Sequence, residues 1–276
     1  MRYRHLFGPV PSRRLGRSLG VDLTPCKTCS LDCIFCQLGP TTHLTVKRDE
    51  WVPLDDVRRE LDRWFAQDGQ ADYVTLAGAG EPTLHRCFGD VIRHVRARGD
   101  VPVALLSNGT LFTDPEVREA AVAANLVKVS LSAWDQTSFG HVNRPHADLS
   151  LERMVEGYRI FRKMYRGRLQ IEVFLVWGTN SLPADVARIA SLVNEIGADE
   201  VHLNTAVRPP SKEYVLPVPE HLLEPMRDLF RPRATMIAEI PSQVWRGAAD
   251  NEDSILSMLR RRPCTAEQIG EGFGMH

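Results

Sequence analysis

The residues best able to do chemistry lie in one short segment, PCKTCSLDCIFCQLG, residues 25–39. It holds four of the six cysteines of the chain: Cys26, Cys29, Cys33 and Cys36. Thiolates at such close spacing bind zinc or iron. Three of them can hold three irons of a 4Fe–4S cluster and leave the fourth iron open to a reactant. The segment therefore predicts a metal centre, and the question is which thiols belong to it.

The same residues allow two other interpretations. Disulfide pairing is disfavoured because there is no signal-peptide pattern and no apolar run of membrane-spanning length, which predicts a cytoplasmic protein with reduced thiols and no membrane partner. A structural zinc site would use Cys26-x2-Cys29 together with Cys33-x2-Cys36, and spacing alone does not exclude it. The iron–sulfur interpretation takes only CSLDCIFC, in which Phe35 precedes the last cysteine.

Bulk composition describes an ordinary globular protein, with 43% hydrophobic and 25% charged residues among 276. A net charge of −1 excludes binding of nucleic acid by overall charge alone. Residues 1–17 nevertheless carry five arginines and no acidic residue, which fits either a solvated basic end or an anion-binding surface.

Strand-like and helix-like segments alternate along the chain to about residue 232. This alternation predicts the α/β class with parallel βαβ units. The six predicted strands are residues 18–25, 72–78, 101–107, 126–132, 171–178 and 201–207.

Folds of this kind place their active groups on loops at the carboxyl ends of the strands. Here those loops are rich in Gly, Asn, Ser and charged residues, whereas the loops at the other end are short and plain. The loops at the carboxyl ends comprise the cysteine segment, GAGEPTLH, NGT, the stretch after Ser132, GTN and RPPSKEY.

The cysteine segment resembles the cluster-binding loop of the radical SAM superfamily, and it follows the first predicted strand as that family's loop does. The resemblance covers about residues 15–210 and implies a partial (β/α)6 TIM-like barrel. It also implies that Cys29, Cys33 and Cys36 hold a 4Fe–4S cluster whose open iron binds S-adenosylmethionine.

A second match follows the second predicted strand. LAGAGEPTLH resembles the glycine–glutamate motif of the superfamily. The resemblance implies that the backbone at Gly78, Ala79 and Gly80, together with the Glu81 carboxylate, binds the amino group of S-adenosylmethionine. Ala79 departs from the family pattern, and a contact made by backbone atoms is expected to tolerate it.

Other cofactor contacts are implied in strand order. Phe35 is expected to shield the cluster and to border the adenine. The remaining implied contacts are Asn108, Ser130, Ser132, Asn143 and Arg144.

Within the superfamily, GPVPSRRLGRSLGVDLTP followed by KTCSLDCIFCQLG resembles a group of iron–sulfur oxidoreductases distantly related to the wybutosine-synthesis enzyme that acts on tRNA. The resemblance implies reductive cleavage of S-adenosylmethionine with one electron from an external reductant of the flavodoxin or ferredoxin type. The product is a 5′-deoxyadenosyl radical that abstracts hydrogen from a substrate.

The motifs do not specify that substrate. We expect a small molecule or a peptide, with tRNA as the alternative; a non-enzymatic zinc or iron–sulfur regulatory protein is a third class. Two residues are candidates for a catalytic role. Cys26 lies beside the cluster without a ligand role, and Arg208 follows the last predicted strand.

The predicted domain boundary falls at residue 232. Residues 1–232 form the barrel, and residues 233–276 comprise a connector and a short C-terminal helical fragment. PCTAEQIGEGFGMH is typical of the first half of a helix-turn-helix. Members of the resembled group often carry a C-terminal winged helix, so a truncated winged helix is one interpretation and a plain helix packed on the barrel is the other.

Overall fold

The computed structural model describes residues 3–12, 14–67 and 69–237, with a few single positions after residue 250. Strands and helices alternate through these ranges. The strands are β1 (Leu6–Ser12), β2 (Gly16–Val21), β3 (Thr28–Cys29), β4 (His43–Leu44), β5 (Tyr73–Leu76), β6 (Val103–Leu106), β7 (Leu126–Ser130), β8 (Arg168–Phe174), β9 (Glu200–Asn204) and β10 (Thr235–Met236). The α-helices are α1 (Leu54–Gln67), α2 (Phe88–Arg96), α3 (Pro115–Ala121), α4 (Gln136–Val142), α5 (Leu151–Met164), α6 (Pro183–Ile196) and α7 (Glu220–Met226). Short 3-10 turns span Pro82–Leu84, Thr110–Thr113 and Arg227–Leu229.

Eight strands form one open sheet in the order β1-β2-β5-β6-β7-β8-β9-β10. Strand β1 runs antiparallel to β2, and every later neighbour in the sheet is parallel. The six predicted strands correspond to β2 and β5–β9, so the α/β partial barrel is confirmed. Their ends differ by a few residues; the first, predicted over 18–25, lies at 16–21.

Strand β1 was not predicted from the sequence. Its segment LFGPVPS contains two prolines, which argue against a strand because proline cannot donate to the hydrogen-bond ladder. An edge strand needs only one side of its ladder, and β1 lies at the edge of the sheet, paired with β2 alone. Edge position therefore explains why the prolines are tolerated.

The crossover helices cover the outside of the sheet with their apolar faces. Helix α1 buries Val57, Leu61 and Trp64, each of them contributing about 1.5–3 kcal/mol by leaving water. Helix α3 begins at an N-cap, with Asp114 accepting a hydrogen bond from the Glu116 amide and Pro115 in the first helical position.

The sheet continues past the predicted boundary at residue 232, because β10 pairs with β9 through Thr235 and Met236. The C-terminal helical fragment predicted beyond it lies outside the described residues. Among the helices of the described ranges, none combines the length and the apolar character needed to cross a bilayer.

Candidate active site

The cysteine segment forms a long loop between β2 and α1, at the carboxyl edge of the sheet. A two-residue parallel pairing of β3 with β4 closes the base of the loop, with Cys29 opposite Leu44. The Thr45 amide also donates to the Cys29 carbonyl at 2.9 Å. This local ladder fixes the chain direction at the first of the three predicted ligands.

The three predicted ligands differ from Cys26 in exposure. Cys26 is exposed, whereas Cys29, Cys33 and Cys36 are partly covered by the protein. Among the described residues, no group of three or more His, Cys, Asp or Glu side chains is arranged to hold one metal ion. A cluster makes a different demand, since each of its cysteines binds a separate iron and the sulfurs need not converge on one point.

Each of the three sulfurs accepts one hydrogen bond from a side-chain nitrogen. Asn108 Nδ2 lies 3.5 Å from Sγ of Cys29, and Asn143 Nδ2 lies 3.3 Å from Sγ of Cys33. Lys27 Nζ lies 3.1 Å from Sγ of Cys36. N–H donors to cysteine sulfur are the partners that stabilise and tune iron–sulfur ligands.

Electrostatics at the thiols fits a bound metal centre. Loss of hydration, reinforced by the Glu81 carboxylate, raises the pKa of Cys29 to about 12. Loss of hydration also raises the pKa of Cys33, and the neighbouring Cys29 and Cys36 add to that rise. The three thiols are thus close enough to oppose one another's ionisation. Three thiols that oppose one another's ionisation become thiolates when they bind a metal cation. The three cysteines therefore fit an iron–sulfur cluster.

The glycine–glutamate motif packs directly against the cysteine loop. The Lys27 amide donates to the Ala79 carbonyl at 2.7 Å, and the Glu81 amide donates to the Thr28 carbonyl at 3.0 Å. A β-carbon on Gly80 would collide with the Thr28 carbonyl. The glycine is therefore required by the close approach of the two loops.

The Glu81 carboxylate is 2% exposed and joins two strand ends. Its Oε1 accepts from the Thr83 amide, the Thr83 hydroxyl and the Ser107 hydroxyl at 3.0, 2.6 and 2.7 Å. Its Oε2 accepts from the Asn108 amide at 2.7 Å, one bond where an oxygen can take two. Burial raises the pKa of Glu81 above its ordinary value, against the pull of these donors.

Asn108 and Asn143 contact the cysteine loop. Asn108 also donates to the Ser30 hydroxyl at 2.9 Å, and its Oδ1 accepts from the amide and hydroxyl of Thr110. The Asn143 carbonyl accepts from the Asp32 amide at 3.1 Å. Both amides thus hold the loop from the strand β6 and helix α4 sides.

The other predicted contacts lie on the same edge but face different partners. Ser132 is buried, and its hydroxyl accepts from the Phe174 amide at 2.9 Å. The Ser130 carbonyl accepts from Tyr158 Oη at 2.9 Å. Arg144, in a left-handed conformation with φ of 45°, donates to Tyr214 Oη at 3.1 Å. Ser130 and Ser132 lie at the carboxyl end of β7, and Arg144 lies beside Asp32 of the cysteine loop, at the end of the barrel that forms its mouth.

Phe35 and Arg208 complete the mouth. The Phe35 ring stacks on Phe174 with centroids 4.0 Å apart and planes 8° from parallel. Arg208 donates to Gln37 Oε1 at 3.1 Å, so the loop after β9 is tied to the cysteine loop. Phe35 therefore packs the cysteine loop against the end of β8.

Two groups of site residues were missed from the sequence. Lys27 lies between two cysteines, and its position in their segment was the available signal. The second group consists of polar residues at the centres of apolar strands: Lys128 in LVKVS, Glu172 in RLQIEVF and His202 in EVHLN. Alternation in a strand assigns these side chains to the face opposite the apolar core.

The comparisons with known proteins agree with this arrangement. Residues 23–176 match the Radical SAM superfamily. The chain belongs to the radical SAM superfamily. Membership implies S-adenosylmethionine and an iron–sulfur cluster, and the family generally needs an external reductant.

Among relatives of this radical SAM chain, a protein of Brachyspira hyodysenteriae named GTPase Obg is 32% identical over 99% of the chain. The chain spans only 41% of the length of that relative. A UPF0026 protein of Methanocaldococcus jannaschii is 30% identical over 96% of this chain and 84% of its own length.

A solved structure of TYW1 with a lysine-pyruvate adduct bound has a TM-score of 0.57 at 18% identity. The likeness covers 90% of this chain and 80% of that one. TYW1 is a wybutosine-synthesis enzyme. At this identity the similarity concerns the fold alone.

Proposed function

We propose that this protein is a radical SAM enzyme whose Cys29, Cys33 and Cys36 hold a 4Fe–4S cluster. When bound there, the cluster supplies one electron that cleaves S-adenosylmethionine to methionine and a 5′-deoxyadenosyl radical. That radical takes a hydrogen atom from a small-molecule or peptide substrate, giving 5′-deoxyadenosine and a substrate radical. The observation that carries the proposal is the set of three thiols, each with its own side-chain N–H donor, at the carboxyl edge of the barrel.

The protein contributes binding, orientation and cover. Lys27, Asn108 and Asn143 orient the sulfurs and donate to them. Phe35, stacked on Phe174, shields the cluster from solvent and borders the adenine. Burial of this kind keeps a reactive radical away from water and from side reactions.

The amino group of S-adenosylmethionine is assigned to the strand end at Gly78, Ala79 and Gly80, with Glu81 behind it. The acceptor capacity left on Glu81 Oε2 supports this assignment. Ser130, Ser132 and Arg144 lie around the mouth, where the rest of the cofactor would extend. Cys26 and Arg208 remain catalytic candidates, one exposed beside the cluster and one tied to the cysteine loop.

The electron is assigned to an external flavodoxin- or ferredoxin-type protein. Anaerobic reconstitution with iron and sulfide, followed by reduction, tests the proposal. We expect S-adenosylmethionine to be converted to methionine and 5′-deoxyadenosine, both measured by mass spectrometry. A protein that binds zinc, or that binds iron but yields no 5′-deoxyadenosine, would instead be the regulatory metal protein considered from the sequence.

The substrate is identified by the hydrogen atom that it transfers to the 5′-deoxyadenosyl radical. Deuterated metabolite, peptide and tRNA pools are each supplied, and deuterium in 5′-deoxyadenosine is measured. We expect transfer from the small-molecule or peptide pool. Transfer from tRNA alone would assign the enzyme to RNA modification.

A further inference from the structure

Three neighbouring strands place charged groups inside the barrel. In β7 the residues Val127 and Val129 belong to the core beneath the helices, so Lys128 between them faces the interior. Glu172 in β8 faces the same side and pairs in register with His202 in β9. The interior of the barrel therefore contains a lysine, a carboxylate and a histidine; Glu172 is level with His202, and Lys128 is level with Gln170, one inward-facing position lower.

Glu172 is the centre of an ion network. Its Oε2 accepts from Lys128 Nζ at 2.6 Å and from Arg14 Nη1 at 3.0 Å. Its Oε1 accepts from Asn204 Nδ2 at 2.9 Å. Burial opposes ionisation, but Lys128 and Arg14 overcome it and hold the pKa of Glu172 well below its ordinary value. The network thus contains two cations and one anion.

Arg14 closes the network from below. It lies in the turn between β1 and β2, at the amino end of β2, 158 residues from its partner Glu172. Beneath the charges, Leu15, Ala104 and Leu126 form a small apolar layer. Lys128 lies two residues before Ser130, the last residue of β7, which places it about 7 Å below the strand end. The charges therefore form a floor beneath the mouth of the barrel.

The two cations have donor capacity that Glu172 does not use. An ammonium has three N–H donors and a guanidinium five. Among the described residues, Glu172 is the one hydrogen-bond acceptor of both Lys128 and Arg14. The Arg14 and Lys128 side chains are 23% and 14% exposed, against 10% for Glu172. The two cations are thus more exposed than the carboxylate that joins them.

His202 adds a second polar group without a complete set of partners. It is 4% exposed, and its Nδ1 has no hydrogen-bond partner in the part of the chain that the structure describes. Its Nε2 lies 3.3 Å from Glu200 Oε2. Burial, and then the charge of Arg14, lowers the pKa of His202, so the ring is neutral at pH 7. A buried polar atom left without a partner is unfavourable unless a ligand or water completes it.

We propose that Lys128 and Arg14, held in place by Glu172, form the floor of the substrate site beside His202, and that these two cations bind a single carboxylate of a small-molecule substrate. The surplus of one positive charge matches one negative charge, and the depth of the floor leaves the rest of the molecule pointing up toward the mouth. The inference rests on the proposed function for its biological meaning, because it names the substrate class of that site. It favours a small acid over a peptide or tRNA.

The test measures binding without chemistry. Cluster-loaded protein is heated in a calorimeter at constant ionic strength with acetate, lactate, inorganic phosphate or acetamide, and the rise in Tm gives an apparent Kd. We expect acetate and lactate to raise Tm and the neutral acetamide to have no effect. Stabilisation by phosphate alone, or equally by acetamide, would overturn the carboxylate assignment.

Two substitutions make the test specific. Lys128→Met should weaken carboxylate binding about tenfold or more, the usual effect of losing a charge-assisted hydrogen bond. The matched control is Lys163→Met, which removes an exposed lysine of α5 and should leave the apparent Kd unchanged. Each variant is compared with its own ligand-free Tm, so a loss of stability does not obscure the result.

Glu172→Gln should change carboxylate affinity in the direction opposite to Lys128→Met. It removes the anion that competes for both cations, so acetate should bind about tenfold more tightly even though the protein is less stable. A purely structural ion network would give no such gain. Carboxylate binding that is unchanged in Lys128→Met, or weaker in Glu172→Gln, would refute the inference.

This binding assay needs neither reductant nor S-adenosylmethionine. A protein that makes 5′-deoxyadenosine but ignores carboxylates would refute the inference and leave the proposed function standing. A protein that binds carboxylates on this floor but never makes 5′-deoxyadenosine would refute the proposed function and leave the carboxylate site standing.

Discussion

The ammonium nitrogen of Lys27 lies 3.1 Å from Sγ of Cys36. Lys27 is 6% exposed and adopts a left-handed conformation with φ of 58°, uncommon for a residue with a side chain. Its amide is bonded to the Ala79 carbonyl, which fixes the backbone that aims the ammonium at the sulfur. A positive charge is thus held against one of the predicted cluster ligands.

Replacing Lys27 by Met should lower the midpoint potential of the cluster. An N–H donor and a positive charge both stabilise the more negative, reduced cluster. Losing an interaction of about 1.5 kcal/mol corresponds to roughly 60 mV for one electron. An EPR-monitored redox titration measures the shift. Lys163→Met should leave the potential unchanged, and a potential that rises in Lys27→Met would refute this role.

Replacing Cys29, Cys33 or Cys36 by Ala should abolish the iron–sulfur absorbance near ~400 nm, because each is assigned to a different iron. Cleavage of S-adenosylmethionine should be lost with it. The exposed Cys26 provides the comparison: Cys26→Ser should retain the iron content of the unaltered protein. Full iron content in any one of the three Ala variants would remove that cysteine from the ligand set.

Glu81→Gln should weaken binding of S-adenosylmethionine about tenfold while leaving the iron content intact. The amide keeps the size of the side chain and one acceptor oxygen but lacks the charge that pairs with an ammonium. Equilibrium dialysis against the cofactor measures the change. Glu119→Gln, on the exposed face of α3, is the matched control. Loss of iron with unchanged cofactor affinity would contradict the assignment.

The Glu172 network should make stability depend on acid pH. Because Lys128 and Arg14 lower the pKa of Glu172 in the folded state, its contribution is present above the ordinary carboxyl pKa. That contribution begins to be lost below about pH 4.5, the ordinary pKa of a glutamate. The loss is complete once the pH has fallen through the lower pKa of Glu172 in the folded state. Glu172→Gln should cost about 3 kcal/mol at pH 7, the range for breaking a buried ion pair.

The deficit of Glu172→Gln should therefore shrink as the medium becomes more acidic. Urea unfolding of both proteins between pH 7 and pH 3 measures it, with Glu119→Gln as a surface comparison. A deficit that stays constant or grows toward low pH would show that the ionised Glu172 does not stabilise the fold.

The cysteine loop and the strand series could be predicted because both are local. Cys29, Cys33 and Cys36 lie within eight residues, and a spacing of this kind indicates metal binding without knowledge of the fold. Strand and helix periods likewise appear within consecutive residues. The loops at the carboxyl ends then follow from the rule for parallel strands.

The contacts that complete the site could not be predicted, because they join distant parts of the chain. Asn108 and Asn143 were expected to contact the cofactor, which stays a prediction; what the sequence did not indicate is that their amides donate to cysteine sulfurs 79 and 110 residues away. Glu81 was expected to pair with an ammonium, and its carboxylate is also the bridge between the ends of β5 and β6. One polar side chain can serve several partners, and only packing selects among them.

By itself, then, the sequence determined the α/β order, the three cysteines and the glycine–glutamate motif, since spacing and periodicity are properties of neighbouring residues. The tertiary structure alone decided that a proline-containing strand forms the edge, that Lys27 faces Cys36, and that Arg14 reaches Glu172 across the barrel. The physical reason is that charge and hydrogen-bond pairing act through space. The chain must close into a sheet before these partners meet.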